Sequence, residues 1–455
     1  MNVRPAEPAV ARDSAPTRRC FLRTLALAAG APCVIPAGVL ASPGQPGPAD
    51  RINLGVIGVG AQGHTDMRVF LGQKDVRVTA ICDINQRNVE LARRAIAETY
   101  GRDEVKVHAD FRALNADPSI DAVLMALPVH WHALPSLDAI GRGKHIYHEK
   151  PMGLSLGEAR RVRDAVRRKG VVFQFGTQQR SERGFRWACQ LARSGRLGAI
   201  REIRVSVPGG KRGPAFPSQP VPDWVDWERW VGPAPATTFH EGKLSRDNHE
   251  NMTAFSLGMI SCWGIHHLDI AQWGNDADAT GPVRVSGEGV FPPEGGFDAI
   301  ESWRVRLEYD RRAPVIFVSD GTAGFEHGIR FVGDQGWVQV RRGAIEGRYH
   351  NEAAGKPALL ADPQNQPEAL PVQLPVSTDH VRNFLDAIKQ RRRAICDVGP
   401  AVRGDTLCQL SLIAVKAGRP LRWDPQAERF PDDAAANQTL EPRPLRGDWK
   451  WPAAG

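Results

Sequence analysis

Cysteine is scarce in this chain of 455 residues. There are seven (Cys20, Cys33, Cys82, Cys189, Cys262, Cys396 and Cys408), with no Cys-x-x-Cys pair and no spacing that reads as a disulfide framework. A fold completed in a reducing compartment needs none. Long apolar runs are missing too: past residue 41 no segment approaches the ~20 residues needed to cross a bilayer. Internal repeats are absent. The 45 glycines and 35 prolines make up about 18% of the chain, above the usual ~12% and short of the ~25–30% of low-complexity sequence. Many tight turns and some wrapping loop are expected, not disorder throughout. With 42% hydrophobic and 24% charged residues, the composition is globular, and the length suits two or three domains.

The formal charge of +8 hints at a nucleic-acid partner, but its distribution argues otherwise. Residues 1–41 hold five arginines and two acids, and the remainder carries +5. The densest run, Arg391-Arg392-Arg393, is read as a solvated helix end, and no nucleic-acid motif accompanies it. No nucleic-acid partner is expected.

Residues 1–41 read as an address. Thr17-Arg18-Arg19-Cys20-Phe21-Leu22-Arg23 precedes a modest apolar stretch to Ala41, and Val39-Leu40-Ala41 offers a small-residue cleavage site. The segment resembles a twin-arginine export signal. A core helix would not carry Gly30, Pro32, Pro36 and Gly38. A membrane anchor is the alternative if cleavage fails. The resemblance implies passage through the twin-arginine machinery as a folded protein and a periplasmic or otherwise exported location. Residues 42–50 read as a linker.

A nucleotide-binding unit then opens. Ile52–Ile57 is a buried parallel strand by composition. Gly58-Val59-Gly60-Ala61-Gln62-Gly63 completes G-x-G-x-x-G, a helix starts near His64, and a second strand over 76–81 leads to Asp83, 20 residues past Gly63. Gly58 permits the tight turn, Gly60 lets backbone approach a pyrophosphate, and Gly63 lets helix and strand pack. The helix N-terminus offers free N–H groups to the phosphates. Asp83 suits ribose hydroxyls and repels a 2′-phosphate, which favours NAD. Arg87 could soften that preference, so NADP stays open. Further strands over 105–107, 122–127, 145–147 and 171–175 alternate with helices over 88–98 and 156–169. The fold class is therefore α/β, with a doubly wound parallel sheet whose ligands lie at the strand C-termini. That places Pro128 to His132, Glu149-Lys150-Pro151 and Gly176 to Gln178 at the site.

After residue 176 alternating runs such as 303–307 and 337–340 read as half-buried antiparallel strands. Glycine turns at Gly321, Gly324, Gly333, Gly336 and Gly343 separate them. Helices are expected over 380–390 and 405–417. The domain reading is 51–175 for the Rossmann unit, 176–424 for a substrate and oligomerisation domain, and 425–455 for an arm that wraps the surface or meets a partner subunit.

The set Gly58 to Gly63, Leu127-Pro128-Val129-His130-Trp131-His132-Ala133, Glu149-Lys150-Pro151, Gly176-Thr177-Gln178-Gln179-Arg180, Trp230-Val231-Gly232-Pro233 and Gly264-Ile265-His266-His267-Leu268-Asp269 resembles the Gfo/Idh/MocA oxidoreductases, the glucose-fructose oxidoreductase and inositol dehydrogenase family. The resemblance spans roughly residues 51–451. It implies a second α/β domain with a large open, mostly antiparallel sheet, a homo-oligomer, and sugar, polyol or sugar-derivative substrates. It also implies cofactor contacts from Gly58, Gly60, Ala61, Gln62, Gly63, Asp83, Pro128, His130, His132, Glu149, Lys150 and Gln178.

Oxidising a secondary alcohol requires a proton acceptor and a group that stabilises the developing alkoxide. Lys150 matches the family's catalytic lysine; otherwise it is a solvated lysine at a strand end. Pro151 could follow a cis peptide bond. His266 matches the catalytic histidine; otherwise it is a packed core residue. The family aspartate four residues earlier is replaced by Cys262. Either another acid, Asp269 or Glu250, substitutes, or the chemistry departs from plain dehydrogenation. If 262–269 is helical, Cys262, His266 and Asp269 share a face. Substrate contacts are expected from Lys150, His266, Asp269 and Trp230. Trp224, Trp227 and Trp230 could stack on a sugar or simply pack. His130 and His132 alternate along an extended segment without a third ligand, so no metal is expected. Three functions stay open: an exported NAD(P)-dependent oxidoreductase with a tightly held cofactor, a redox-neutral NAD-dependent glycosidase, and a noncatalytic sugar- or nucleotide-binding protein.

Overall fold

The computed structural model describes residues 50–319, 322–351, 356–360 and 370–452. The expected export signal, nearly all of the linker and the turn at Gly321 lie outside them. The described residues from Ile52 onward form one unit.

Six strands build a parallel sheet: β1 (Ile52–Ile57), β2 (Val76–Cys82), β3 (Lys106–His108), β4 (Ala122–Met125), β5 (His145–His148) and β6 (Phe173–Phe175), in the order β3-β2-β1-β4-β5-β6. Order reverses between β1 and β4, so the crevice at their C-terminal ends is where a ligand binds. Residues in β4 are buried on both faces, which is why that strand is continuously apolar. The helix Leu156–Lys169 shows how local chemistry fixes an element. Ser155 Oγ accepts from the Glu158 N–H at 3.2 Å, and the Glu158 carboxylate accepts from the Leu154 N–H at 2.9 Å. Gly170 closes the far end at φ 66° behind Arg167, Arg168 and Lys169.

Nine strands build the second sheet: β7 (Ile200–Val207), β8 (Arg284–Val290), β9 (Ser302–Glu308), β10 (Val315–Ser319), β11 (Gly328–Gly333), β12 (Trp337–Arg341), β13 (Ala344–Asn351), β14 (Lys356–Leu360) and β15 (Leu421–Arg422). Their order is β14-β13-β12-β11-β7-β10-β9-β8-β15, and only β7 and β10 pair in parallel. Along β9, Trp303, Val305 and Leu307 are buried while Arg304 and Arg306 are exposed. One face packs on helices and the other meets water.

The helix His380–Gln390 lies late in the chain yet packs on the parallel sheet. Phe384 stands edge-on to Phe70 at 6.3 Å and to Tyr147 at 5.9 Å. Asp379 caps this helix through the Arg382 N–H at 2.8 Å. The segment from Leu440 onward also returns to the nucleotide-binding half. The Leu440 carbonyl accepts from the Gly157 N–H at 2.7 Å.

Candidate active site

The cleft follows the C-terminal edge of the parallel sheet. At its centre is the glycine loop. Gly58 has φ +84°, and a Cβ there would sit 2.2 Å from the Ala126 carbonyl oxygen; at Gly63 it would sit 1.9 Å from the Gly58 carbonyl oxygen. At Gly60 a Cβ would meet only Asn88 Nδ2, at 3.6 Å. The backbone there is open to the cleft. The helix Ala61–Leu71 begins with no capping side chain and no acid in its first turn, so its N–H groups are left for an anion. These features fit a pyrophosphate.

On one side lies Asp83. Its carboxylate accepts from the N–H groups of Val59 and Asn85, each at 2.9 Å, and burial pushes it above the ordinary range. Arg87 is turned away: its guanidinium lies 3.8 Å from the Trp224 ring centroid and 3.0 Å from Glu241. On the other side lies Lys150, which follows β5 and joins Pro151 through a cis peptide bond. It is 7% exposed. Its ammonium donates to the Cys262 carbonyl at 3.1 Å and stands 3.8 Å from Glu250. Glu250 accepts from Arg246 at 2.9 Å, Arg246 donates to Gln62 at 2.8 Å, and Gln62 donates to Asp66 at 2.9 Å. Burial alone would raise the Glu250 carboxyl, but Lys150 and Arg246 outweigh it and hold it below the ordinary range. The Glu149 carboxylate accepts from Gln178 at 3.0 Å and from the Lys150 N–H at 3.2 Å.

Asp66 is the unexpected member. Burial, then the neighbouring Glu149, push its carboxyl up to about 8, and its Oδ2 has no hydrogen-bond partner. The folded chain therefore holds a proton that the unfolded chain, at 3.8, has released. This contribution to stability is present at acid pH and lost as pH rises from about 4 to about 8. Asp66→Asn should flatten that loss and be more stable than the wild type by more than about 1 kcal/mol at pH 8. Denaturant titrations of both proteins at pH 5 and 8 check this, and a parallel pH dependence would refute it.

Several expectations need correction. His130 and His132 do not alternate along a strand, because residues Val129–Trp131 form a 3-10 turn. His130 Nε2 lies 3.0 Å from the Trp230 carbonyl; His132 lies between the Pro151 and Leu127 carbonyls, at 2.5 and 2.6 Å, and its single N–H donates to one of them. Burial pushes the two imidazoles down to about 3 and about 4. Both rings are turned into the protein, while Pro128 and Val129 line the cleft. The expected single helix over 262–269 is two, Met259–Cys262 and Gly264–Gly274. Asp269 does not reach the cleft. It is fully buried in a two-pronged pair with Arg180, at 2.8 and 2.7 Å. Of the two candidate substitute acids, Glu250 is the one beside Lys150. The Cys262 thiol meets Ser256 Oγ at 3.2 Å, and burial pushes it up to about 12.

His266 is 5% exposed, and its Nδ1 has no partner. Burial, then the charge of Lys150, hold it well below the ordinary imidazole range. Trp230 lines the cleft and stacks on Trp227 at 4.8 Å, whereas Trp224 carries Arg87. Sequence reasoning missed Arg246, Asp66 and Trp449. Asp66 left a faint signal, an acid four residues after Gln62 on the helix opened by the glycine motif. Trp449, a cleft-lining ring from the arm, left none beyond being aromatic in a polar stretch. Among the described residues, no group of three His, Cys, Asp or Glu side chains is arranged to hold a metal ion.

Two family models match the chain. Residues 52–177 match the oxidoreductase family's NAD-binding Rossmann fold, and residues 210–451 match its C-terminal alpha/beta domain. The chain belongs to the Gfo/Idh/MocA oxidoreductase family. Its nucleotide-binding half is that family's NAD-binding domain, and the open glycine loop and uncapped helix fit the cofactor. A glycosyl hydrolase family 109 protein of Saccharopolyspora erythraea is 32% identical over 112 residues. That match spans 24% of this chain, and the chain spans about a quarter (24%) of that relative's length. The fold is shared with aldose-aldose oxidoreductase from Caulobacter crescentus complexed with glycerol, at a TM-score of 0.58 and 18% identity over 82% of this chain and 99% of that one. It is also shared with GenD2 from gentamicin A biosynthesis in complex with NAD, at a TM-score of 0.58 and 18% identity over 86% of this chain and 99% of that one.

Proposed function

We propose that this protein is an exported oxidoreductase that holds NAD tightly and acts on a sugar, polyol or sugar derivative. The observation that carries the reading is the buried Lys150 ammonium at one end of the dinucleotide cleft, held by one carbonyl and one carboxylate. An ammonium has three N–H donors, and only the Cys262 carbonyl takes one at hydrogen-bond distance, so two are left for substrate oxygens. When bound, the nicotinamide supplies the hydride acceptor. Lys150 stabilises the developing alkoxide. His266, whose Nδ1 is unpartnered, takes the hydroxyl proton and holds it only transiently, because burial and the Lys150 charge disfavour its imidazolium. Glu250 supplies the negative charge that Cys262 cannot.

NAD is favoured over NADP because Asp83 is fixed toward the cleft while Arg87 is committed to Trp224 and Glu241. Wild-type protein should bind NAD at least about tenfold more tightly than NADP, read by fluorescence titration; equal affinities would remove this part of the reading. The arginine pair and trailing apolar stretch of residues 17–41 support export. An assembly of identical subunits belongs to the same reading, and light scattering tests it.

A second reading, a redox-neutral glycosidase, is favoured by the family 109 relative and by the lack of a free NAD pool outside the cytoplasm. A retained cofactor would then be regenerated within each cycle. One experiment separates the two. Purified protein is denatured and its released nucleotide measured; the native protein is then offered free sugars and aryl glycosides. Cofactor reduction by free sugars supports the oxidoreductase. Aglycone release without net reduction supports the glycosidase. Neither bound nucleotide nor activity would leave a noncatalytic protein.

A further inference from the structure

The cleft also has a wall that the dinucleotide motif does not account for. Phe111 and Trp449 line it there, with Asp110 and Arg229. The Trp449 ring stands edge-on to Trp131 at 4.8 Å and lies 6.3 Å from Phe111 at an interplanar angle of 24°. The Arg112 guanidinium is 5.0 Å from its centroid. The arm that carries it is fastened to the body. Arg443 donates to the Thr253 carbonyl at 2.6 Å. Arg446 donates through Nε to the Gly232 and Ala234 carbonyls, both at 3.0 Å, and pairs with Glu228. Its own N–H donates to the Pro233 carbonyl at 3.1 Å.

The order of groups along the cleft says what this wall faces. Lys150 marks the reacting end, the open glycine loop the phosphates, and Asp83 the ribose of the adenosine half. The aromatic wall, built on the loops that follow β3 and β4 on either side of β2 and β1, would meet the base of a bound dinucleotide. Aromatic rings hold bases through their faces whatever the base's hydrogen-bonding pattern. We propose that Trp449 is the adenine platform of the cofactor site, and that the arm fastened by Arg446 is what slows the cofactor's departure. The inference rests on the NAD reading above and adds the residue and segment responsible for retention. It gives the chain a physical means of working where no nucleotide pool refills the site.

The test uses full-length protein loaded with NADH and chased with excess NAD, with release followed by NADH fluorescence. Trp449→Ala should release NADH at least about tenfold faster than wild type, and Trp449→Phe should stay within about threefold. Arg446→Ala, which keeps the ring but loosens the arm, should also speed release. Affinity for ADP-ribose should fall in Trp449→Ala by a factor similar to the gain in release rate, with affinity for nicotinamide mononucleotide unchanged. Unchanged release and unchanged ADP-ribose affinity would overturn the proposal while leaving the NAD reading standing. Equal losses for ADP-ribose and nicotinamide mononucleotide would also overturn it, because the change would then belong to the whole cleft. Wild-type protein that binds neither NADH nor ADP-ribose would overturn the NAD reading itself, and this proposal with it.

Discussion

Lys150→Ala should lower turnover of the oxidised sugar or polyol by about 10²–10⁴-fold, the usual range for a lost acid–base or charge-stabilising group, while the protein still carries NAD. The two halves of that expectation come from different parts of the cleft. Cofactor affinity resides in the glycine loop, the uncapped helix and Asp83, none of which touches Lys150. The lysine's neighbours are Cys262 and Glu250. Removing it leaves Glu250 paired with Arg246 at 2.9 Å, and Gln178 still donates to Glu149 at 3.0 Å, so the fold should hold. Lys150→Arg should rescue little, because a planar fork cannot reproduce a point ammonium between those two oxygens. Turnover, bound nucleotide per chain and denaturant midpoint, measured on the same preparations, check the expectation. A variant that loses NAD in proportion to activity would show that the lysine holds the cofactor.

Arg180→Ala should cost about 3–5 kcal/mol of stability through a mechanism unrelated to catalysis. The Arg180 side chain is 2% exposed and bridges Asp269 and Asp278, with four donor–acceptor distances of 2.7–2.8 Å. Without it, Asp269 remains fully buried with no cation. Burial already pushes its carboxyl upward, and Arg180 is the main force that opposes this. The double variant Arg180→Ala with Asp269→Asn should recover part of the loss, since the stranded charge goes with the aspartate. Denaturant titration reads both. If Arg180→Ala leaves the midpoint unchanged and raises only the KM for substrate, Asp269 and Arg180 belong to a substrate site after all.

The nucleotide-binding half was legible because its signals are local. The continuous apolar character of β4 follows from burial on both faces, and Ser155, Glu158 and Gly170 mark the ends of one helix within a few residues. The acid after β2 lines the cleft, at the spacing from the glycines that the sequence displays. What was not legible depends on chain returning from a distance. Nothing in the pattern of residues 380–390 says that Phe384 packs on Phe70, since an amphipathic helix declares a buried face but not its partner. The same holds for Trp449 on Trp131. Asp269 was misread because a family motif locates a residue, whereas its role was fixed by Arg180, far away in sequence. The alternation of His130 and His132 failed for a smaller reason: a single 3-10 turn rotates successive side chains away from the two-residue period of a strand. Glu250 was weighed only as a substitute acid, and its link through Arg246 to Gln62 spans the two halves of the molecule.

The central claim, that Lys150 serves a substrate hydroxyl beside a retained nicotinamide, is tested most directly by single-turnover absorbance at 340 nm. Wild-type protein and Lys150→Ala, matched for bound NAD, are mixed with a panel of aldoses and polyols without added cofactor. A rise proportional to bound NAD in the wild type, slowed by at least about 10²-fold in the variant, is the predicted result. Equal rates in the two proteins, or no rise in the wild type with any sugar while aryl glycosides are also left intact, would contradict it.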